Sequence, residues 1–189
     1  MPFKVVLDAN VLYPFSLRDT LLRLAERELY VHVWSEQILT EMERNLVKHK
    51  RKTRKSAARM KAQMKDAFEE AMVDAAAINA LVPAMTNHPG DRHVLATAIV
   101  ADAEGIVSFN RKHFPDRALK PFNRTLLHPD DFLCDLYDRY PAIVASVIIE
   151  QAAHLRNPPV SVEEILGMLD RGGVKNFVAC LRRHLGLVP

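Results

Sequence analysis

Two short apolar, β-branched runs in this sequence each stop at a residue whose side chain carries an oxygen. Residues 3–7 are followed by Asp8, and residues 106–109 are followed by Asn110. Such runs predict buried strands, and residues 31–34 form a third candidate. Because helical patterns lie between these runs, the order favours an α/β domain with parallel pairing.

The segments between the predicted strands contain residues that typically begin or end helices. Ser16, with the acid Asp19 three residues later, predicts one helix start, and Ser35 predicts the N-cap of another. A further helix is expected from about residue 91 to residue 104, with Gly105 ending it.

The last third of the sequence has a different pattern. From about residue 129 the chain is helical, with breaks at Asn157-Pro158-Pro159 and Gly172-Gly173. We therefore predict an α/β domain over residues 1–125 and a helical extension over residues 126–189.

Composition is ordinary for a soluble globular protein, with 189 residues, 49% of them apolar and 26% charged. No stretch approaches the ~18 apolar residues of a membrane span, and the N-terminus lacks the features of a secretion signal. Cys134 and Cys180 fit buried thiols in a reducing cytosol better than a disulfide framework. We expect a cytoplasmic protein that does not enter a membrane.

A basic segment extends from Lys48 to Lys65 with no acid until after Lys65, although the net charge is only +3. A cluster of this kind attracts phosphates, but a solvated, mobile helical arm explains it equally well. The residues that we single out for phosphate contact are Arg51, Lys52, Arg54, Lys55 and Arg59.

Two acids occupy positions that suit a cation site. Asp8 follows a strand, and ligands of open parallel sheets bind beyond the carboxyl ends of strands, although Asp is also a common turn former. Asp91 shares a helical stripe with the apolar Val94 and Leu95, where a carboxylate needs a partner, although it could instead cap the helix. Asp102 lies roughly 16 Å further along that helix, so it is expected at the surface.

Two further positions stay undecided on the residues alone. Glu41 and Glu43 lie on one predicted helix, and its periodicity places Glu43 slightly nearer the buried face. Asn110 ends its strand as Asp8 does, so its amide oxygen could join the same site, or it could simply form a turn.

Four segments, taken together, resemble PIN-domain nucleases, particularly the toxins of bacterial VapBC-type toxin–antitoxin pairs. They are Val5-Val6-Leu7-Asp8-Ala9-Asn10-Val11-Leu12, Ser35-Glu36-Gln37-Ile38-Leu39-Thr40-Glu41-Met42, Asp91-Arg92-His93-Val94-Leu95-Ala96-Thr97-Ala98 and Ile106-Val107-Ser108-Phe109-Asn110-Arg111-Lys112-His113-Phe114-Pro115. The resemblance covers about the first 120 residues. It implies a three-layer α/β/α fold with a central parallel sheet, to which the helical extension is added.

The resemblance also implies a site and an activity. It places metal-binding acids at Asp8, Glu41 and Asp91, and it places Asn110 at a fourth catalytic position that is often Asp. The implied cofactor is Mg²⁺ or Mn²⁺, and the implied reaction is hydrolysis of RNA to 5′-phosphate and 3′-hydroxyl ends. The implied partners are RNA, an antitoxin protein and a second copy of the chain.

Other functions compete with this interpretation. A haloacid-dehalogenase-like phosphatase also begins with an acid after a strand, but it needs a second Asp where this chain has Asn10. A catalytically weak RNA-binding protein with the PIN fold is compatible with the uncharged Asn110. A housekeeping RNA-processing nuclease without an antitoxin is a third alternative.

Overall fold

The computed structural model describes residues 3–187 of the chain. Its strands are β1 (Lys4–Leu7), β2 (Val31–Val33), β3 (Gly105–Val107) and β4 (Thr125–Leu127). Its α-helices are α1 (Ala9–Leu12), α2 (Phe15–Glu26), α3 (Glu36–Lys48), α4 (Arg54–Ala67), α5 (Ala75–Leu81), α6 (Arg92–Val100), α7 (Asp116–Leu119), α8 (Pro129–Arg139), α9 (Pro141–His154), α10 (Val162–Arg171) and α11 (Lys175–His184). Short 3₁₀ helices include Pro89–Asp91 and Arg111–His113.

The four strands form one parallel sheet in the order β2-β1-β3-β4. Strand β1 is central, and Val5, Val6 and Leu7 are completely buried, as expected for a parallel strand covered on both faces. Leu7 lies opposite Val107, so the carboxyl ends of β1 and β3 are neighbours. This register places the residues that follow the two strands side by side.

The chain divides into two compact units. The first comprises the described residues of Met1–Tyr13 together with Tyr30–Leu127, and the second comprises Pro14–Leu29 with the described residues of His128–Pro189. The second unit therefore includes α2 as well as the C-terminal helices. A boundary between residues 125 and 126 stays a prediction.

In the first unit, two helices carry predicted site residues. Helix α3 begins after Ser35, whose Oγ accepts a 3.3 Å hydrogen bond from the Ile38 amide, as the sequence predicted. Helix α6 packs against β1 and β3 through a buried apolar side that includes Val94 and Leu95. The parallel sheet and the C-terminal helices confirm the predicted fold class, a PIN-like α/β/α arrangement with a helical extension.

In the second unit, buried polar side chains connect helices. Gln151 on α9 is completely buried; it accepts a 2.8 Å hydrogen bond from Thr20 Oγ1 and donates a 3.0 Å bond to the Ser16 carbonyl. Asp130 on α8 accepts hydrogen bonds from the backbone amides of Asn176 and Phe177, at 3.1 and 2.9 Å. The carboxylate of Asp130 thus caps α11 from another helix.

The predicted helix start at Ser16 is wrong. Helix α2 begins at Phe15, and Ser16 lies buried inside its first turn. Pro14 takes the N-cap position with an extended backbone, and its carbonyl accepts the Arg18 amide at 2.9 Å. Proline is compatible with this position because the amide it lacks would have no partner within the helix.

The predicted role of Gly105 is also wrong, since it begins β3 and does not end a helix. Helix α6 ends at Val100, and Asp102 turns the chain with a φ of 50°. A Cβ atom on Gly105 would lie 2.9 Å from Cδ1 of Leu127 on β4. The close approach of neighbouring strands therefore requires glycine here.

Within residues 3–187, none of the helices combines the length and the apolar character needed to span a bilayer.

Candidate metal centre

Asp8 lies at the carboxyl end of β1 and is almost completely buried, with 2% of its surface exposed. It occupies the N-cap position of α1, but its side chain makes no capping hydrogen bond. Its Oδ2 instead accepts a 2.7 Å bond from Asn10 Nδ2 and a 2.6 Å bond from Ser108 Oγ. The carboxylate is therefore held in place from both strand ends.

The loop after β3 is joined to the loop after β1 through Asn10. Its Nδ2 lies 2.9 Å from Ser108 Oγ, and its Oδ1 accepts the Phe109 amide at 3.1 Å. The Asn110 backbone amide donates to Ser108 Oγ at 3.1 Å, and Ser108 Oγ in turn donates to Asp8. Ser108 thus connects the Asn110 backbone to Asp8. The Asn110 side chain forms no capping bond to the 3₁₀ helix that follows.

Asp91 immediately precedes α6 and is 7% exposed. Although it occupies the N-cap position, its side chain does not cap the helix. Its Oδ2 contacts Nδ1 of His113 and lies 3.9 Å from Nδ1 of His88. The Asn87 amide group donates to the Asp91 carbonyl at 3.0 Å, which fixes the backbone at this point.

The two glutamates that periodicity did not separate have different surroundings. Glu41 Oε2 lies 3.8 Å from Nε2 of His93, on the first turn of α6. Glu43 instead pairs with Lys61 Nζ on α4, at 3.3 Å. Glu41 therefore faces α6, the helix that follows Asp91, while Glu43 connects α3 to α4.

The three acids interact electrostatically. Burial raises the pKa of Asp8 from 3.8 to about 7, and the charges of Asp91 and Glu41 add to the shift while the Ser108 hydrogen bond opposes it. Burial also raises the pKa of Glu41, and the charge of Asp91 raises it further. Three carboxylates so placed are unfavourable when all are ionised, unless a cation or a proton compensates them.

His93 adds a ring nitrogen to this centre. It is 3% exposed, and its Nε2 has no hydrogen-bond partner among residues 3–187. Burial lowers the pKa of His93, which favours the neutral imidazole. This nitrogen lies 3.8 Å from Oε2 of Glu41, so His93 belongs to the surroundings of the three acids.

Sequence reasoning missed Asn10, Ser108, His93 and His113 as members of this centre. Their positions carried a weak signal, since Asn10 lies two residues after Asp8 and Ser108 follows the neighbouring strand. His93 lies two residues after Asp91, but His113 comes from a distant loop that only the tertiary structure brings close.

The basic segment divides into paired and unpaired cations. Lys61 Nζ lies 2.7 Å from Glu36 Oε1, and Lys65 Nζ lies 2.7 Å from Glu36 Oε2, so both hold α4 against α3. Arg54 and Lys55, in the first turn of α4, line an open groove of about 800 Å³ between the two helices. Arg51 and Arg59 are exposed, and Lys52 is half-buried.

The donor chemistry of the centre fits a hard divalent cation. Asp8, Glu41 and Asp91 offer carboxylate oxygens, the ligands that Mg²⁺ and Mn²⁺ prefer. Their burial and mutual repulsion would both be offset by a bound positive ion. The residues present therefore fit such an ion.

Comparison with known proteins identifies both parts of the chain. The family model of the PIN domain matches residues 4–112, and a model described as the VapC50 C-terminal domain matches residues 129–183. A proposed ribonuclease of Mycobacterium tuberculosis, VapC50, is 46% identical over 105 residues, which are 56% of this chain and 62% of that protein. The match thus spans less than two thirds of the relative's length, and no solved structure matches this chain. By the match over residues 4–112, this chain belongs to the PIN-domain family.

Proposed function

We propose that this protein is a metal-dependent endoribonuclease and the toxin of a toxin–antitoxin pair. The observation that carries the proposal is the convergence of Asp8, Glu41 and Asp91, whose charges act on one another at the carboxyl edge of a parallel sheet. The name of the similar VapC50 protein supports RNA as the substrate.

In this proposal Asp8 and Asp91 would be the principal ligands of Mg²⁺ or Mn²⁺, and Glu41 would hold a coordinated water or a second ion. When bound, the cation acidifies a water and neutralises charge that builds up on phosphorus. Ser108 keeps Oδ2 of Asp8 fixed, since it donates a 2.6 Å hydrogen bond to that atom. Asn110, at the fourth position, positions the attacking water or the scissile phosphate.

RNA would bind along the basic segment through its phosphates. Arg54 and Lys55 suit this role because they are exposed, while Lys61 and Lys65 already have carboxylate partners. Arg51, Lys52 and Arg59 complete the proposed set. Cleavage would leave a 5′-phosphate and a 3′-hydroxyl, because a water attacks in line and the 3′ oxygen departs.

The further elements of the proposal are a cognate antitoxin, a homodimer and a cytoplasmic location. The likeness to VapC50 supports the antitoxin. The cytoplasmic location rests on the sequence, whose two cysteines do not suggest a disulfide framework. A catalytically weak RNA-binding function is the alternative that the uncharged Asn110 favours.

Cleavage of RNA by the purified protein tests the enzyme. Mg²⁺ or Mn²⁺ should support cleavage, a chelator should stop it, and end-labelling should detect 5′-phosphates. Asp8→Asn should remove the activity, whereas Asp102→Asn, which changes an acid with an 87% exposed side chain, should retain it. Equal cleavage by Asp8→Asn and wild type would refute the metal centre.

Expression in bacteria tests the toxin. Growth should stop with the wild-type protein and continue with Asp8→Asn, and a small protein encoded next to the gene should restore growth. Unaffected growth with a protein that cleaves RNA in vitro would instead indicate a housekeeping RNA-processing enzyme.

A further inference from the structure

Two histidines lie close to Oδ2 of Asp91, which Nδ1 of His113 contacts and from which Nδ1 of His88 is 3.9 Å away. His88 precedes the 3₁₀ helix Pro89–Asp91, and His113 ends the 3₁₀ helix Arg111–His113. A 3.1 Å hydrogen bond from the His88 amide to the His113 carbonyl holds the two loops together. Their rings stack with centroids 4.0 Å apart and an interplanar angle of 11°. The two imidazoles are therefore held beside one buried carboxylate.

We propose that His88, Asp91 and His113 form a second cation site, selective for a divalent transition ion such as Zn²⁺. One ligand atom from each of the three residues lies within 4.8 Å of the other two. Two ring nitrogens and one carboxylate oxygen suit Zn²⁺, Ni²⁺ or Co²⁺, whereas Mg²⁺ prefers oxygen ligands alone. The site thus differs in chemistry from the all-carboxylate set of Asp8, Glu41 and Asp91.

To hold one ion, Nδ1 of His113 must move away from Asp91 Oδ2 and the two stacked rings must tilt toward each other, because an imidazole binds a metal in its ring plane and the two planes lie only 11° apart. Neighbouring ligand atoms around tetrahedral zinc are about 3.3 Å apart, given metal–ligand distances near 2.0–2.1 Å. His113 Nδ1 already contacts Asp91 Oδ2, and His88 Nδ1 lies 3.9 Å from the same oxygen. To bind through Nδ1, His88 would release the 3.2 Å hydrogen bond that it accepts from the exposed Gly90 amide, which water can replace.

The exposure of the two histidine side chains also favours cation binding at this second site. The His88 and His113 side chains are 51% and 37% exposed, so an ion can enter from solvent and keep water as its remaining ligands. Asp91 is the only member that is largely buried, and it belongs to both sets. An ion held by the histidines would compete with the carboxylate centre for Oδ2 of Asp91.

A simpler role for His113 is to orient Asp91 by a hydrogen bond, with no ion of its own. That role predicts that removing His113 weakens Mg²⁺ binding and leaves Zn²⁺ binding unchanged. The proposed site predicts the reverse. Measuring metal binding needs no RNA. The second cation site can therefore be refuted while the ribonuclease proposal holds, and the ribonuclease proposal can fail while the second site holds.

Calorimetric titrations of the metal-free protein with Zn²⁺ and, separately, with Mg²⁺ provide the test, because Mg²⁺ present during the Zn²⁺ titration would compete for Asp91. Wild type should bind one Zn²⁺, and His88→Asn and His113→Asn should each weaken it roughly 10- to 100-fold, by analogy with known metal-site variants. His154→Asn, at the exposed end of α9, is the matched control and should bind as wild type does. Equal Zn²⁺ affinity in wild type and the His88→Asn/His113→Asn double variant would overturn the proposal.

A second measurement needs no variant. In ¹H–¹⁵N spectra of the wild-type histidine rings, substoichiometric Zn²⁺ should shift a ring nitrogen of both His88 and His113. Shifts confined to other histidines, or no shift at all, would place the ion elsewhere and contradict the proposal.

Discussion

Ser108 Oγ donates a 2.6 Å hydrogen bond to Oδ2 of Asp8 across the carboxyl ends of two adjacent parallel strands. The bond favours the ionised carboxylate and so opposes the burial that raises the pKa of Asp8. Because Ser108 is completely buried, no water can take over this role without rearrangement. The register of β1 and β3 places Ser108 beside Asp8, and so it favours the negative charge on Asp8 that would attract a cation.

Replacing Ser108 with Ala should weaken Mn²⁺ binding by about tenfold, since partners of metal ligands contribute on this scale. The loss of the donor should also raise the pKa of Asp8. The difference in Mn²⁺ affinity between Ser108→Ala and wild type should therefore shrink at higher pH. Mn²⁺ titration followed by electron paramagnetic resonance measures both effects. Ser146→Ala, which removes a hydroxyl that donates a 2.8 Å hydrogen bond to the Ile143 carbonyl, should have no effect. Unchanged Mn²⁺ affinity in Ser108→Ala would contradict the role given to this bond.

The metal-free protein should lose stability as pH rises, because folding raises the pKa of Asp8 from 3.8 to about 7. Between these values the folded state binds more protons than the unfolded state, so the free energy of unfolding falls with pH. Asp8→Asn lacks this dependence. The free energy of unfolding of Asp8→Asn, relative to that of wild type, should therefore increase by roughly 2–3 kcal/mol from about pH 5 to about pH 8.

Urea unfolding of both proteins in chelator, across this pH range, checks the prediction. Saturating Mg²⁺ should reduce the difference at high pH, because the ion compensates the Asp8 charge. A difference that does not change with pH would show that Asp8 is not held with a raised pKa.

Asp130→Ala should destabilise the second unit by about 1–3 kcal/mol, since it leaves the amides of Asn176 and Phe177 without an acceptor. Asp135→Ala, an exposed acid on the same helix, should change stability by less than about 0.5 kcal/mol. Thermal unfolding of the whole chain compares the two. Equal midpoints would mean that Asp130 does not stabilise α11.

Arg54→Gln and Lys55→Gln should weaken RNA binding and reduce its salt dependence. Each lost phosphate contact should lower the slope of log K against log salt by about 0.7, the value for single strands. Fluorescence anisotropy with a labelled RNA measures this slope, and Arg171→Gln on α10 provides an exposed control. Slopes equal to those of the control would place RNA elsewhere.

Sequence patterns predicted those features that depend on local chemistry. The run before Asp8 predicted a buried strand, and Ser35 was predicted as the N-cap of the helix that became α3. Those patterns succeed because side-chain period and capping depend on neighbours in sequence. Gly105 was misassigned because its constraint comes from Leu127, a residue on another strand.

The candidate metal centre, like the fold, could be predicted only in part from the sequence. Strand ends made Asp8 a candidate and left Asn110 undecided, and periodicity slightly favoured Glu43 over Glu41. The structure shows why periodicity could not decide, since Glu43 is turned to Lys61 and Glu41 to His93. Both contacts join separate helices, and no local pattern records them.

The central claim is that Asp8, Glu41 and Asp91 form one catalytic metal centre, and the adjacent Glu41 and Glu43 provide its most direct test. The rate of RNA cleavage should be measured against Mn²⁺ concentration for Glu41→Gln and Glu43→Gln. We expect Glu41→Gln to require far more Mn²⁺ and to lose about 100-fold in rate, while Glu43→Gln stays within about threefold of wild type. Equal activity of the two variants, or a greater loss in Glu43→Gln, would contradict the claim.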